Sequence, residues 1–118
     1  MLDHRPSIDG IFSALGDPTR RAIVERLTGR EATVSELAKP FDMSLSAVHQ
    51  HLALLEGAGL VACEKRGRER WCRLETKALD RIDKWVSERR RLWERRLDAL
   101  DAYLAEGGAP APRRRRRK

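Results

Sequence analysis

The sequence predicts a mainly α-helical domain that carries one β-hairpin, and three features predict it. Segments bounded by helix start and stop signals follow one another from Ile8 to Gly59; a period-2 stretch then brackets Gly67-Arg68; an apolar stripe of nearly seven-residue period runs from Thr76 to about Glu106. The 118 residues suffice for one small domain with a modest core.

Residues 1–7 read as a lead-in. Ile8, Ile11, Phe12 and Leu15 then fall at i, i+3, i+4, i+7, which predicts a short amphipathic helix ending at Gly16. Asp17 as N-cap and Pro18 at the first helical position start a second helix, with Ala22, Ile23, Val24 and Leu27 on its buried side and a stop around Thr28-Gly29-Arg30. Thr33-Val34-Ser35-Glu36 has the form of a capping box and opens a short third helix with Leu37, Ala38 and Phe41 as its apolar side, ended by Pro40.

A fourth helix is framed by Ser44 as N-cap and Gly59 as C′ residue. At about 100° per residue, Leu45, Val48, Leu52 and Leu55 fall on one side, and Ser46, His49, Gln50 and Ala53 on the other. The outer face lacks the Glu/Lys pairs of an ordinary solvated helix. It offers short hydroxyl, amide and imidazole groups that fit a DNA major groove, where Gln pairs bidentately with adenine. Two short helices and a tight turn, the second with a groove-compatible face, form a helix-turn-helix.

Leu60–Arg66 and Arg70–Leu74 read as strands joined by a type II′ turn at Gly67-Arg68. That loop pairs Val61 with Leu74, Cys63 with Cys72 and Lys65 with Arg70. It gathers Lys65, Arg66, Arg68 and Arg70 at the tip, as expected of a wing that grips phosphates or a minor groove. The register also places the Cβ atoms of Cys63 and Cys72 about 4.5 to 5.5 Å apart, so the two cysteines are a candidate redox pair, against the plainer role of small apolar residues.

The final helix, predicted over 76–106 and roughly 45 Å long, carries Leu79, Ile82, Val86, Trp93, Leu97, Leu100 and Leu104 in a near-heptad stripe that Trp85, Leu92 and Tyr103 widen. One small domain has no obvious way to cover so long a stripe, and a second copy of the chain is the simplest cover. Residues 107–118 read as a Gly/Ala/Pro linker and a disordered basic run, Arg113 to Lys118. That run places most of the net charge of +7 in the tail, since the rest of the chain holds 19 of the 25 basic residues against 18 acidic ones. Basic local clusters therefore matter more than the overall charge.

Several classes are excluded or disfavoured. No apolar run approaches the roughly 20 residues of a membrane span, and the N-terminus lacks a signal-peptide pattern, which together predict a cytoplasmic protein. Zinc-ligand spacing is absent, His49 and His51 point to different helix faces, and neither a Gly-rich phosphate loop nor a catalytic triad is legible. No enzyme activity, metal site or cofactor is expected.

Taken together, Ala14-Leu15-Gly16-Asp17-Pro18-Thr19-Arg20-Arg21-Ala22-Ile23, Glu36-Leu37-Ala38, Ser46-Ala47-Val48-His49-Gln50-His51-Leu52 and Leu55-Glu56-Gly57-Ala58-Gly59-Leu60-Val61 resemble the ArsR/SmtB winged helix-turn-helix transcriptional repressors. The similarity spans about residues 8 to 105. It lacks the family's metal ligands: the third helix has no thiol and the last helix no His. The resemblance implies a homodimer joined by its first and last helices on a palindromic operator in double-stranded DNA. On this reading Ser44, Ser46, Ala47, His49 and Gln50, with Lys65, Arg66, Arg68 and Arg70, contact DNA. Ile8, Ile11, Phe12, Val86, Trp93, Leu97, Leu100 and Leu104 form the dimer interface. A small-molecule effector has a place near Trp85 and Trp93, beside the plainer role of interface core. The competing class is a protein-interaction or RNA-binding module that uses the helix-turn-helix surface or the Arg-rich tail.

Overall fold

Side-chain caps set where each of the first four helices begins. Ser7 Oγ accepts the Gly10 N–H at 3.0 Å and opens α1 (Ile8–Leu15); Asp17 Oδ2 accepts the Arg20 N–H at 3.0 Å and opens α2 (Pro18–Arg26). A complete capping box opens α3 (Val34–Ala38): Thr33 Oγ1 accepts the Glu36 N–H at 3.1 Å, and Glu36 Oε1 accepts the Thr33 N–H at 2.9 Å. Ser44 Oγ accepts the Ala47 N–H at 3.1 Å at the head of α4 (Leu45–Gly57). The computed structural model describes residues 7–107, so the expected basic run and all of the lead-in except Ser7 lie outside the described residues.

The tail of α4 closes in a Schellman turn. Gly59 takes φ 79, a left-handed value that suits glycine, while the Leu60 N–H reaches the Leu55 carbonyl and the Gly59 N–H the Glu56 carbonyl, each at 3.0 Å. The chain thereby turns directly into β2 (Val61–Arg66), which pairs antiparallel with β3 (Glu69–Leu74) in the expected register, Val61 against Leu74, Cys63 against Cys72 and Lys65 against Arg70. Positive φ at Gly67 and at no non-glycine residue described agrees with a type II′ turn.

The sequence reading missed a third strand. β1 (Ala32–Thr33) pairs antiparallel with β3, Ala32 against Cys72 and Thr33 against Trp71, giving the sheet order β1-β3-β2. The core under this sheet joins Ile11, Ile23, Leu27, Leu37, Val48, Leu52, Leu55, Leu60 and Cys72, with Ala78 from α5 (Thr76–Ala105) buried among them and Leu79 and Ile82 packed against it.

Two expected placements are corrected. Leu45, expected on the buried side of α4, is 50% exposed because the first helical turn projects past the core; Val48, Leu52 and Leu55 carry the buried stripe alone. Ile11, expected at a subunit interface, is 0% exposed and wholly used by the chain's own core, whereas Phe12 beside it is exposed.

By its internal contacts the chain divides after Asp83 into two compact units. In the second, α5 presents Leu92, Trp93, Leu97, Leu100 and Leu104 as exposed large apolar side chains, and the Arg89 guanidinium lies 4.4 Å from the Trp85 ring centroid. No helix among the described residues is long and apolar enough to cross a membrane.

Because Ser44 satisfies an otherwise orphaned donor on an exposed helix end, Ser44→Ala is expected to lower folding stability by about 1 kcal/mol, read as a shifted urea midpoint at unchanged m-value.

A candidate nucleic-acid interface on the fourth helix and the wing

The buried stripe of α4 dictates what its other side presents. With Val48, Leu52 and Leu55 turned inward, Ser46, His49, Gln50 and Ala53 are exposed along the opposite face, and Ala47 is half-buried beside them. Ser44 stands at the positive end of the helix, its hydroxyl engaged by the Ala47 N–H. All five α4-region residues expected to meet DNA thus lie on or beside one surface, and none is buried.

Strand alternation sorts the wing cations onto different faces. Val61, Cys63, Cys72 and Leu74 face the core, and the same parity carried to the tip aims Lys65 and Arg70 along the side that borders α4. There Lys65, Arg68, Glu69 and Arg70 line an open groove of about 340 Å³ together with Leu45 and His49 of α4 and the Thr33-Val34-Ser35 corner. The exposed Leu45 is therefore part of the groove floor between helix and wing. Lys65 and Arg68 make no ion pair among the described residues; Arg70 Nη2 lies 3.5 Å from Glu56 Oε1 near the end of α4, which ties the wing to the helix.

On the opposite parity the charges are closed on themselves. Arg66 makes two parallel bonds of 3.0 Å to the Glu31 carboxylate, a third of 3.0 Å to Glu64, and sits 5.4 Å from the Trp71 ring centroid. Arg73 bridges Glu64 at 3.3 Å and Glu75 at 3.2 Å. Arg66, grouped with the DNA-contacting cations from its place near the tip, is occupied in bracing the wing against the segment before β1.

A second brace was also illegible in the sequence. Arg20 Nε donates to the Ala14 carbonyl at 2.7 Å and Nη2 to Ser13 at 3.3 Å, while Nη1 lies 3.3 Å from His51 Nδ1. His51 Nδ1 is also 3.9 Å from Asp17 Oδ2, so the imidazole links α4 to the end of α1 and the start of α2. His51 thus joins the helices through polar contacts. Both braces join residues far apart in sequence, where periodicity carries no signal; an Arg after the Asp-Pro cap and an isolated Glu before a two-residue strand were the only hints. Among the described residues no three His, Cys, Asp or Glu side chains gather as metal ligands.

Comparison with known proteins gives concordant results. A helix-turn-helix domain family matches residues 15–64. The HTH-type transcriptional regulator Rv2034 of Mycobacterium tuberculosis is 40% identical over 102 residues, 86% of this chain and 92% of that protein. The transcriptional repressor SdpR of Bacillus subtilis is 29% identical over 79 residues, 67% of this chain and 88% of that protein. Among solved structures, an ArsR family transcriptional regulator is 47% identical with a TM-score of 0.72, covering 74% of this chain and 96% of that one.

The helix caps and the Arg66 brace carry a pH signature. The Arg20 N–H holds the Asp17 carboxyl below its ordinary 3.8, the Arg66 guanidinium holds Glu31 below its ordinary 4.5, and the Thr33 N–H does the same for Glu36. Since the folded values lie below the unfolded ones, this stabilisation is complete above the ordinary values and is lost as pH falls through the folded ones. The melting temperature is expected to hold down to about pH 5 and decline below it, and less steeply in Arg66→Ala, which has already lost the Glu31 contribution.

Proposed function

We propose, from the premise that this chain belongs to the ArsR family of DNA-binding helix-turn-helix transcriptional regulators, that it acts as a homodimeric repressor on a palindromic operator. The observation that carries the reading is the groove in which the open face of α4 meets Lys65, Arg68 and Arg70. A major-groove reader needs short polar groups on a rigid helix and cations beside it, and both are supplied by one compact unit.

The roles divide by chemistry. Gln50 and His49 read base edges, with Ser46 and Ala47 allowing close approach. Ser44 and the first N–H groups of α4 hold a phosphate. Lys65 and Arg68 bind the backbone or the adjoining minor groove, with Arg70 held toward the same groove by Glu56. Arg66 positions the wing through Glu31 and Trp71. The Arg113–Lys118 run adds attraction for phosphates without sequence preference.

Dimerisation rests on α5. Trp93, Leu97, Leu100 and Leu104 recur at intervals of four, three and four residues, an a/d spacing, and are exposed in the single chain. A second copy covers such a stripe symmetrically, joined by Ile8, Phe12 and Val86, and sets two recognition helices on half-sites about 34–36 Å apart. The family consists of regulators of transcription rather than enzymes. SdpR is named a repressor, which favours repression as the direction of control.

Fluorescence anisotropy of the full chain on DNA from upstream of its own gene, against a scrambled duplex at physiological salt, tests the reading. A preference of about 1,000-fold or more is expected, and equal, weak, steeply salt-dependent binding to both duplexes overturns it. Gln50→Ala is expected to cost about 1–3 kcal/mol and relax preference at one base position. Arg68→Ala should weaken all sequences alike and reduce the salt slope by about 1. In sedimentation, Leu97→Glu is expected to convert a dimer to a monomer and to abolish tight operator binding while α-helical content is retained.

A further inference from the structure

The wing holds a pair of thiols that DNA reading does not use. Cys63 and Cys72 are directly opposed on β2 and β3. Counting from the two-residue turn, Arg66 and Glu69 form the hydrogen-bonded closing pair, Lys65 and Arg70 the next, non-hydrogen-bonded pair, and alternation makes Cys63 and Cys72 a non-hydrogen-bonded pair. In such pairs the Cα atoms approach to about 4.5 Å with side chains at their closest, inside the roughly 4.4–6.8 Å range that a disulfide spans. The two residues differ in access: Cys72 is 1% exposed and sealed into the core, whereas Cys63 is half-buried.

We propose that Cys63 and Cys72 are an oxidisable dithiol that a hydroperoxide converts to a cross-strand disulfide, loosening the wing's hold on DNA. The last clause rests on the DNA-binding reading above. Hydrogen bonding between the two thiols raises Cys63 and lowers Cys72, so the first proton leaves from Cys72 and the other stays on Cys63. Transfer of that proton to Cys72 leaves a thiolate on the accessible Cys63 sulfur. The thiolate attacks the peroxide and breaks its O–O bond, giving a sulfenic acid and an alkoxide or hydroxide, which takes the Cys72 proton. Cys72 then displaces hydroxide from Cys63 and forms the S–S bond. In sum, two thiols and one hydroperoxide give one disulfide, one alcohol or water from the peroxide, and one water; the sulfurs lose two electrons and the peroxide gains them.

The bond has a route to the DNA-facing groove. The Cys63 N–H donates to Glu56 Oε2 at 3.2 Å, and the other oxygen of Glu56 holds Arg70 at 3.5 Å. A disulfide re-twists the two strands at this position, so strain at Cys63 falls on the carboxylate that joins the end of α4 to the wing cation.

The full chain is treated with hydrogen peroxide, and intact mass and operator anisotropy are measured on the same sample. The expected result is a loss of about two mass units in a still-single chain, with operator affinity weakened about tenfold or more and restored by dithiothreitol. Cys63→Ser should show neither the two-unit loss nor the fall in affinity, and Cys72→Ala serves as the second variant should the first fold poorly. Absence of the two-unit loss, or its presence with unchanged affinity, overturns the proposal. Failure of the reduced protein to prefer its operator overturns the DNA-binding reading instead, while the mass measurement still judges the dithiol.

Discussion

The left-handed turn at Gly59 is the joint on which the surface proposed to meet DNA depends. Its two hydrogen bonds, Leu60 to Leu55 and Gly59 to Glu56, pair two of the last carbonyls of α4, and Leu60 is fully buried immediately after the turn. The Leu60 carbonyl then accepts the Glu75 N–H at 2.8 Å, so the residues that enter and leave the hairpin are tied together. These backbone bonds join the Arg70–Glu56 contact in holding helix face and wing at one angle. A residue with a side chain at Gly59 meets the steric cost of positive φ at the point where that angle is set.

Around this joint, charge is divided between bracing and reaching. The outer face of the hairpin closes its carboxylates and guanidinium groups into a chain from Glu31 through Arg66, Glu64 and Arg73 to Glu75. Exposed pairs of this kind each contribute modestly, but the bidentate Arg66–Glu31 contact fixes geometry as well as energy. The inner parity leaves Lys65 and Arg68 unpaired among the described residues beside the polar face of α4. A wing whose cations were all engaged would have little left for a phosphate, and one with none engaged would lack a fixed position.

What was legible in the sequence was the part governed by local rules. Caps at Asp17, Thr33 and Ser44, the Gly59 terminator and the hairpin register all follow from residues within a few positions of one another, and all are found where expected. The illegible parts are long-range or lie where periodicity fails. β1 is two residues long and shows no alternation, and the Arg66–Glu31 bond joins residues 35 apart in sequence. Periodicity put Leu45 inside because angle alone does not tell where a core ends along a helix axis, and the family resemblance assigned Ile11 to a partner although its own chain had the space. For the candidate site, residue type identified the polar face of α4 and the wing tip, but only the fold separates a reaching Arg68 from a bracing Arg66.

The β1–β3 pairing also imposes an order in time. The hairpin of β2 and β3 closes over two residues and belongs to the class of events completed in about 1–10 μs. Pairing Ala32 with Cys72 instead closes a loop of 40 residues that contains α3 and α4, and its entropic cost must be met by contacts made across the sheet and core. Thr33 belongs both to β1 and to the capping box of α3. The strand that completes the sheet and the cap that starts the helix-turn-helix therefore meet in one residue. The contacts that hold β1 on β3 thereby also hold the start of α3 beside the wing.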